Sequence, residues 1–299
     1  MALPIPRVVV VTRSTPYEAL VAKRSTRGQA EFFLRTRKQR IEPIESAHQR
    51  FRDALARVLR VIPAKWRRAN VARSDLDRFL FEPEDIIVVV GQDGLVANVA
   101  KYLDGQLVIG INPLPDLYDG VLVPHPVAAA GDLLIGAAQS KVPVEHRTMV
   151  QAQLEDGQRI LALNEVFIGH RSHQSARYRL IVHESSESHS SSGVIVATGT
   201  GSTGWARSIH LALGGPLELP TPTARTLTFF VREAFPSIAT QVSITRGLLD
   251  ERQSLDLISE MDEGGVIFGD GIEDDHLDFA RGQRVKIQTA RESLSLVRA

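Results

Sequence analysis

The sequence predicts an α/β domain built on a parallel sheet, followed by a β-rich, sandwich-like domain. Three observations carry that expectation. Ile86-Ile87-Val88-Val89-Val90 is an unbroken run of five β-branched residues, the composition of a strand buried on both faces of a parallel sheet. Strand-like and helix-like pieces alternate over the first 125 or so residues, and strand–helix–strand at that spacing implies right-handed βαβ units. Past Pro124-His125-Pro126 the chain turns to many short apolar or alternating stretches with few helices, the pattern of an antiparallel sandwich. The expected domains are therefore residues 1–125, Rossmann-like, and residues 126–299.

Taken in order, Arg7 to Thr12 reads as the first strand, and basic helical stretches follow at Tyr17–Lys23 and Gln29–Arg37. A longer helix is expected from Ile44 to Val61, because Phe51, Leu55, Val58 and Leu59 recur at helical spacing. Pro63 should end it. Trp66 to Arg73 reads as a strand and Ser74-Asp75-Leu76-Asp77 as a capped turn. After the apolar run comes a helix from Leu95 to Leu103, a strand from Gln106 to Ile111, and a bridging helix from Val127 to Ala138. Strands are then expected at Val142–Leu154, Gln158–Ile168, Tyr178–Val182, Val194–Thr198, Thr226–Val231, Val242–Thr245, Ser254–Ile258, Val266–Phe268 and Arg284–Gln288. The serine-dense segment Glu184–Ser192 reads as an exposed hairpin or flexible loop.

Composition narrows the function classes. The chain has 299 residues, 43% hydrophobic and 23% charged, with 35 basic residues balancing 35 acidic ones. That balance gives no push towards nucleic acid or membrane. Basic residues concentrate between Arg24 and Arg73, which suits either a polyanionic substrate or a solvated helix face. Cysteine is absent, so disulfides, thiolate metal sites and cysteine catalysis are excluded. No stretch approaches the roughly 20 apolar residues of a membrane span. Met1–Arg7 has neither a signal-peptide core nor transit-peptide character, so the expectation is a cytoplasmic protein.

Three segments carry chemistry. The apolar strand empties into Gly91-Gln92-Asp93-Gly94 at the start of a helix. A loop at the carboxyl end of a parallel strand is where open α/β sheets place ligands. It can hold phosphate on backbone N–H groups and aim a carboxylate at a hydroxyl, or be a plain strand-to-helix turn. The second segment is Asn164-Glu165 inside an apolar strand. Such a pair is costly to bury without partners, and it offers an amide beside a carboxylate able to take ribose hydroxyls; it would otherwise face solvent on an edge. The third is Thr198-Gly199-Thr200-Gly201-Ser202-Thr203-Gly204-Trp205, a small-residue loop opening a helix, with Ser202 or Thr203 as the expected cap. It lacks the Lys-Ser/Thr ending of a P-loop.

These segments, in this order, resemble the NAD kinase family, whose pattern is a Gly-Gly-Asp-Gly-Thr loop, then an Asn-Glu pair, then a Thr-rich Gly-Ser-Thr loop. The likeness is nearest to the mitochondrial-type branch and its bacterial counterparts, through Asn164–Gly169, Ser191-Ser192-Gly193 and the loop ending in Trp205. It runs from Asp85 to about Gln288. The resemblance implies phosphoryl transfer from ATP, as its magnesium complex, to the 2′-hydroxyl of the adenosine ribose of NAD, giving NADP. Asp93 would then be the general base. Gly91 and Gly94 would cradle phosphate, Asn164 and Glu165 would bind NAD, and Thr200, Thr203, Gly204 and Ser208 match positions near the nucleotide. Asp270, in Gly269-Asp270-Gly271, matches a late Asp-Gly of the family on the nicotinamide side. No protein metal ligands are implied. Small-molecule substrates and a homodimer or tetramer are expected, with no nucleic acid and no membrane.

The chain departs from the family pattern in places. Gln92 stands where a second glycine is usual and Leu95 where a threonine is usual; Asn112-Pro113-Leu114 replaces Asn-Thr-Gly. The first two departures touch the donor end. A kinase for another hydroxyl, or a protein that binds a dinucleotide without catalysis, are the alternatives. The histidines His170, His173, His183 and His189 lack a fixed zinc spacing, and no Gly-x-Ser-x-Gly elbow supports a hydrolase.

Overall fold

The computed structural model describes residues 5–214, 216–238 and 240–298; the reading made over Met1–Pro4 lies outside them. The chain divides into two units, residues 1–145 with 295–299, and residues 146–294.

In the first unit, β1 (Arg7–Thr12) leads through α1 (Pro16–Arg24), α2 (Arg27–Arg35) and α3 (Glu42–Val61) to β2 (Arg67–Ala72). A 3-10 turn over Arg73–Arg78 precedes β3 (Ile86–Val90), α4 (Asp93–Ala100) and β4 (Leu107–Asn112). The sheet order β4-β3-β1-β2 is parallel throughout, and every residue of β3 is buried. Val8, Val10, Val88 and Val90 pack on Phe51 and Val58 of α3, and on Leu134 and Ala137 of α5 (Ala130–Ala138). The short β5 (His125–Pro126) pairs with the end of β4. Because α5 closes this core, it belongs to the first unit, and the division falls at Glu145 rather than near Pro126. The expected bridging helix starts as a 3-10 turn at Val127–Ala129. Each of α1 and α2 is capped by the threonine before it, Thr15 and Thr26, and Thr15 forms a full capping box with Glu18.

The second unit is largely antiparallel. Its elements are β6 (Val144–Leu154), β7 (Arg159–Ala162), β8 (Glu165–His170), β9 (Ala176–Val182), β10 (Ser185–Ser191), β11 (Val194–Ala197), α6 (Trp205–Leu213), β12 (Leu227–Val231), β13 (Arg246–Leu249), β14 (Leu255–Ser259), β15 (Gly265–Gly269), β16 (His276–Asp278) and β17 (Arg284–Val297). One sheet runs β10-β9-β14-β17, the other β13-β12-β11-β8-β15-β16. Inward residues of both, among them Tyr178, Leu255 and Leu257 from one and Val166, Val196 and Phe229 from the other, share one core. The last residues of β17 lie in the first unit, where Ser295 and Leu296 pair in parallel with Leu107 and Val108 of β4.

Three expectations are corrected. Gln158–Ile168 is two strands, broken at Leu163-Asn164, because the N–H groups of those residues donate to the Asp270 carboxylate instead of to a ladder. Val242–Thr245 is not a strand; Ser243 and Ile244 give their N–H groups to Glu187, and pairing resumes at Arg246. Glu184–Ser192 is the second arm of a hairpin with β9, as one of the two readings has it, but it is neither exposed throughout nor a loop. It forms β10, with Glu187, His189 and Ser191 turned inward and buried. Glu187 and Ser191 are partnered inside: Glu187 accepts the N–H groups of Ser243 and Ile244, and the Tyr178 hydroxyl lies 2.7 Å from Ser191 Oγ. His189 stacks on the Tyr178 ring beside Glu187, and its two buried ring nitrogens make no hydrogen bond among the described residues.

Candidate functional site

The Gly-Gln-Asp-Gly loop sits at the carboxyl end of β3, as the sequence implies. Gly91 N–H donates to Ile111 O at 3.2 Å, tying the loop to β4. Gln92 is the extended residue before α4, which begins at Asp93 rather than at Leu95. Gly94 is exposed, with open space where a Cβ would stand. Leu95 is fully buried, and its side chain lies under Gly91. Its position is therefore part of the core, not of the phosphate-facing surface.

The Asp93 carboxylate takes three backbone N–H groups: Leu122 at 2.7 Å and Val123 at 3.2 Å on Oδ1, and Val121 at 3.0 Å on Oδ2. This fastens the 121–123 segment, which crosses β4 so closely that a Cβ on Gly110 would overlap the carbonyl of Leu122. An ionised carboxylate has about four acceptor directions. Three are taken, and Oδ2 keeps one. The rebuilt 112–118 loop is held by Asn112, whose amide donates to Tyr118 O and whose oxygen accepts from Leu114 N–H.

In the second unit, Asn164, Glu165, Thr198, Thr200 and Asp270 come together. Asp270 holds positive φ, accepts the N–H of Asn164 at 2.7 Å and of Leu163 at 2.9 Å, and donates its own N–H to Glu165 O. Burial, and then the nearby charge of Asp270, push the Glu165 carboxyl up to about 7. Thr198, not Ser202 or Thr203, organises the third loop. Its hydroxyl donates to Leu163 O at 2.6 Å and accepts from the N–H of Thr200 and Gly201. Gly201 passes so close to Asn164 that a Cβ would overlap the Asn164 carbonyl. Ser202 Oγ is spent on Thr198 O, and the Thr203 hydroxyl on Thr200 O. Gly204 is the residue just before α6, and Ser208 lies exposed within its first turns.

One group in this loop stands out chemically. The Thr200 hydroxyl is buried and has no hydrogen-bond partner among the described residues, which a bound ligand's polar atom would supply. Beside it, Trp205 stacks on Phe167 and carries the Arg232 guanidinium over its ring. Two roles were missed from sequence, Thr198 as organiser and Asp270 as the clamp of Asn164. The signals available were only the threonine that ends an apolar strand and an Asp-Gly turn. Among the described residues, no three His, Cys, Asp or Glu side chains are grouped to hold a metal ion, and no helix is long and apolar enough to cross a membrane.

A Gly-Gln-Asp-Gly turn opening a helix on a parallel sheet, in one chain with an antiparallel unit that carries an Asn-Glu pair and a threonine loop, defines a two-unit α/β plus β architecture. No family model matches the chain. Curated proteins do. It is 36% identical over 155 residues to the NAD kinase of Methylococcus capsulatus, covering 48% of this chain and 50% of that protein. With the NAD kinase of Chlorobaculum tepidum it shares 29% over 150 residues, covering 48% and 50%. The chain thus spans about half the length of the curated relatives it matches. Among solved structures, yeast NADH kinase complexed with NADH aligns with a TM-score of 0.59 at 16% identity, covering 98% of this chain and 84% of that one. An NAD kinase from Archaeoglobus fulgidus in complex with ATP aligns at 0.57 and 20%, covering 98% and 93%. The chain is thus similar in sequence to NAD kinases over about half its length, and shares its fold over nearly all of it with the two solved structures.

Proposed function

We propose that this protein is an NAD kinase, transferring the γ-phosphoryl group of ATP to the 2′-hydroxyl of the adenosine ribose of NAD. The observation that carries the reading is the placement of Asp93, a carboxylate at the amino end of α4 within a glycine loop, with one acceptor direction of Oδ2 left over. In the step, the ribose 2′-oxygen attacks the γ-phosphorus, its proton passes to Asp93 Oδ2, and the bond from the γ-phosphorus to the β,γ-bridging oxygen breaks to release ADP. A positioned base contributes roughly 10²–10⁴ in rate. The transition state is loose, so the backbone N–H of Gly94 in the first turn of α4 matters at least as much, whereas that of Gly91, expected to share the cradle, is spent on Ile111 O.

Asn164, Glu165 and the unpartnered Thr200 hydroxyl would bind the dinucleotide, with Thr203, Gly204, Ser208 and Asp270 around them. Magnesium would arrive on ATP, since Mg²⁺ characteristically keeps waters and substrate phosphates as ligands and needs few protein groups. A homo-oligomer and a cytoplasmic setting belong to the same proposal. Exposed Leu211 and Leu213 at the end of α6, with Leu248 on the edge strand β13, offer apolar surface for a second copy.

The test is incubation with NAD, ATP and Mg²⁺ followed by detection of NADP, beside NADH as acceptor. Measurable NAD binding with no NADP from any donor would favour a non-catalytic dinucleotide-binding protein.

A further inference from the structure

We infer that the helical hairpin of α1 and α2 is a binding surface for single-stranded nucleic acid, held through phosphates by Arg24 and Arg37 and through a base by Phe32. None of these residues belongs to the groups assigned to phosphoryl transfer. Between Lys23 and Arg73 the chain carries fifteen basic residues against four acidic ones, a local excess that the whole-chain balance conceals. Three of the four carboxylates are paired nearby: Arg27 takes Glu31 and Glu45, and Arg40 takes Glu42. Lys23, Arg24, Arg35, Arg37 and Lys38 gather at the last turn of α1 and the end of α2, with no acidic partner among the described residues.

Two of these cations share one ring. The guanidinium carbons of Arg24 and Arg37 lie 3.6 Å and 3.7 Å from the centroid of Phe33. One face has no room for two guanidinium groups at that distance, so the ring is stacked on both sides. Arg37 is held there by its Nη1, which donates to Phe33 O and to Thr36 Oγ1, each at 3.1 Å. Arg24 Nε is buried and makes no hydrogen bond among the described residues. Two positive charges fixed across a ring without a carboxylate repel each other, and a polyanion relieves that repulsion. Stacking also sets the guanidinium planes in advance, with donor edges ready for phosphate oxygens.

Phe32, the next residue along, is 59% exposed, with the Arg35 guanidinium 5.7 Å from its centroid. Ala30 and Leu34 of the same helix are buried with Ile41, against Tyr17 and Leu20 of α1, so the hairpin presents these groups from a packed base. Inorganic polyphosphate needs only the cations and leaves Phe32 without a role. An anionic membrane needs a wider apolar face than one phenyl ring. A strand of phosphates that also carries aromatic faces uses both features, with a base stacked on Phe32 or on an exposed guanidinium plane.

The experiment titrates the full chain into a fluorescein-labelled RNA of about a dozen nucleotides, and into DNA of the same sequence, read by anisotropy across a salt series. Both should bind with a Kd on the order of 10⁻⁶–10⁻⁴ M at physiological salt, with a log–log salt slope of about −0.7 per phosphate neutralised. Arg24→Gln combined with Arg37→Gln should weaken binding at least about tenfold and flatten the slope by about 1.4. Phe32→Ala should weaken both strands about fivefold or more at unchanged slope, and leave the binding of inorganic polyphosphate as it was. If the double arginine variant melts early, Arg35→Gln replaces it, exposed and without a side-chain hydrogen bond among the described residues, and should flatten the slope by about 0.7. No binding of either strand at low salt overturns the assignment, as does binding that Phe32→Ala leaves unchanged. Tighter binding to phosphatidylserine vesicles than to either strand overturns it in favour of a membrane. Displacement of the strand by NAD or ATP overturns it by moving the strand to the nucleotide site of the proposed kinase. Binding that persists with NAD and ATP present supports the surface, whether or not the chain forms NADP.

Discussion

The Asp93 carboxylate accepts the backbone N–H of Leu122 at 2.7 Å, so the residue proposed as catalytic base also pins the 121–123 segment. Asn at this position keeps one oxygen acceptor but turns an NH₂ group towards a backbone N–H. Asp93→Asn should therefore lower kcat for NADP formation by about 10²–10⁴ and also cost about 1–3 kcal/mol of stability from the bond left unmade. Steady-state kinetics and thermal unfolding of the same preparation check both. Stability lost with kcat unchanged would leave Asp93 a purely structural clamp.

Much of this site is written locally. Val8–Val11 and Ile86–Val90 declare buried parallel strands by β-branching alone, and Gly91–Gly94 marks the turn between β3 and α4 by its glycines. What sequence could not disclose are long-range substitutions of one hydrogen-bond partner for another. Asp270 breaks a strand more than a hundred residues away by taking two of its N–H groups. Glu187 does the same at Ser243 and Ile244. The strand β10 hides for a related reason: its buried face is Glu, His and Ser, so hydropathy alternation is inverted, and the groups that partner Glu187 and Ser191 come from elsewhere in the chain.

The raised Glu165 carboxyl fixes a sign for pH dependence. Folding lifts this acid from 4.5 to about 7, through burial first and the Asp270 charge second. Between those values the folded state holds a proton that the unfolded chain has released, so stability should fall as pH rises from about 4.5 to 7 and level off above. The change is on the order of 3 kcal/mol at most. Glu165→Gln should flatten that slope and melt higher than the parent chain at pH 8, and Asp270→Asn should move the slope to lower pH. A parent chain and Glu165→Gln with parallel stability–pH curves would show that Glu165 titrates normally.

Thr198 couples the Asn164-Glu165 segment to the threonine loop with one hydroxyl that both donates and accepts. Thr198→Val keeps the shape and removes all three bonds, leaving the Leu163 carbonyl and two N–H groups unpaired. The expected cost is about 1–3 kcal/mol in stability, with a rise in the KM for NAD because Asn164 and Thr200 lose their shared anchor. Thr198→Ser preserves the hydroxyl and should retain near-parental KM. Equal KM values in the valine and serine variants would separate the hydroxyl from dinucleotide binding.

Leu95 marks the place where sequence comparison and structure pull apart. A threonine there in the family pattern suggests a lost phosphate contact, yet the Leu95 side chain is fully buried, 3.1 Å from where a Cβ on Gly91 would stand. Restoring threonine would delete buried methyl groups and place a hydroxyl among apolar neighbours. Both changes destabilise, together by about 2–4 kcal/mol, and neither presents a donor to the loop surface unless α4 rotates. Leu95→Thr should thus lower the unfolding midpoint without raising kcat or tightening the KM for ATP, whereas Leu95→Met, similar in volume, should leave all three near parental. A Leu95→Thr variant that turned over faster would mean that α4 does rotate in the loaded enzyme, and that the hydroxyl reaches phosphate after all.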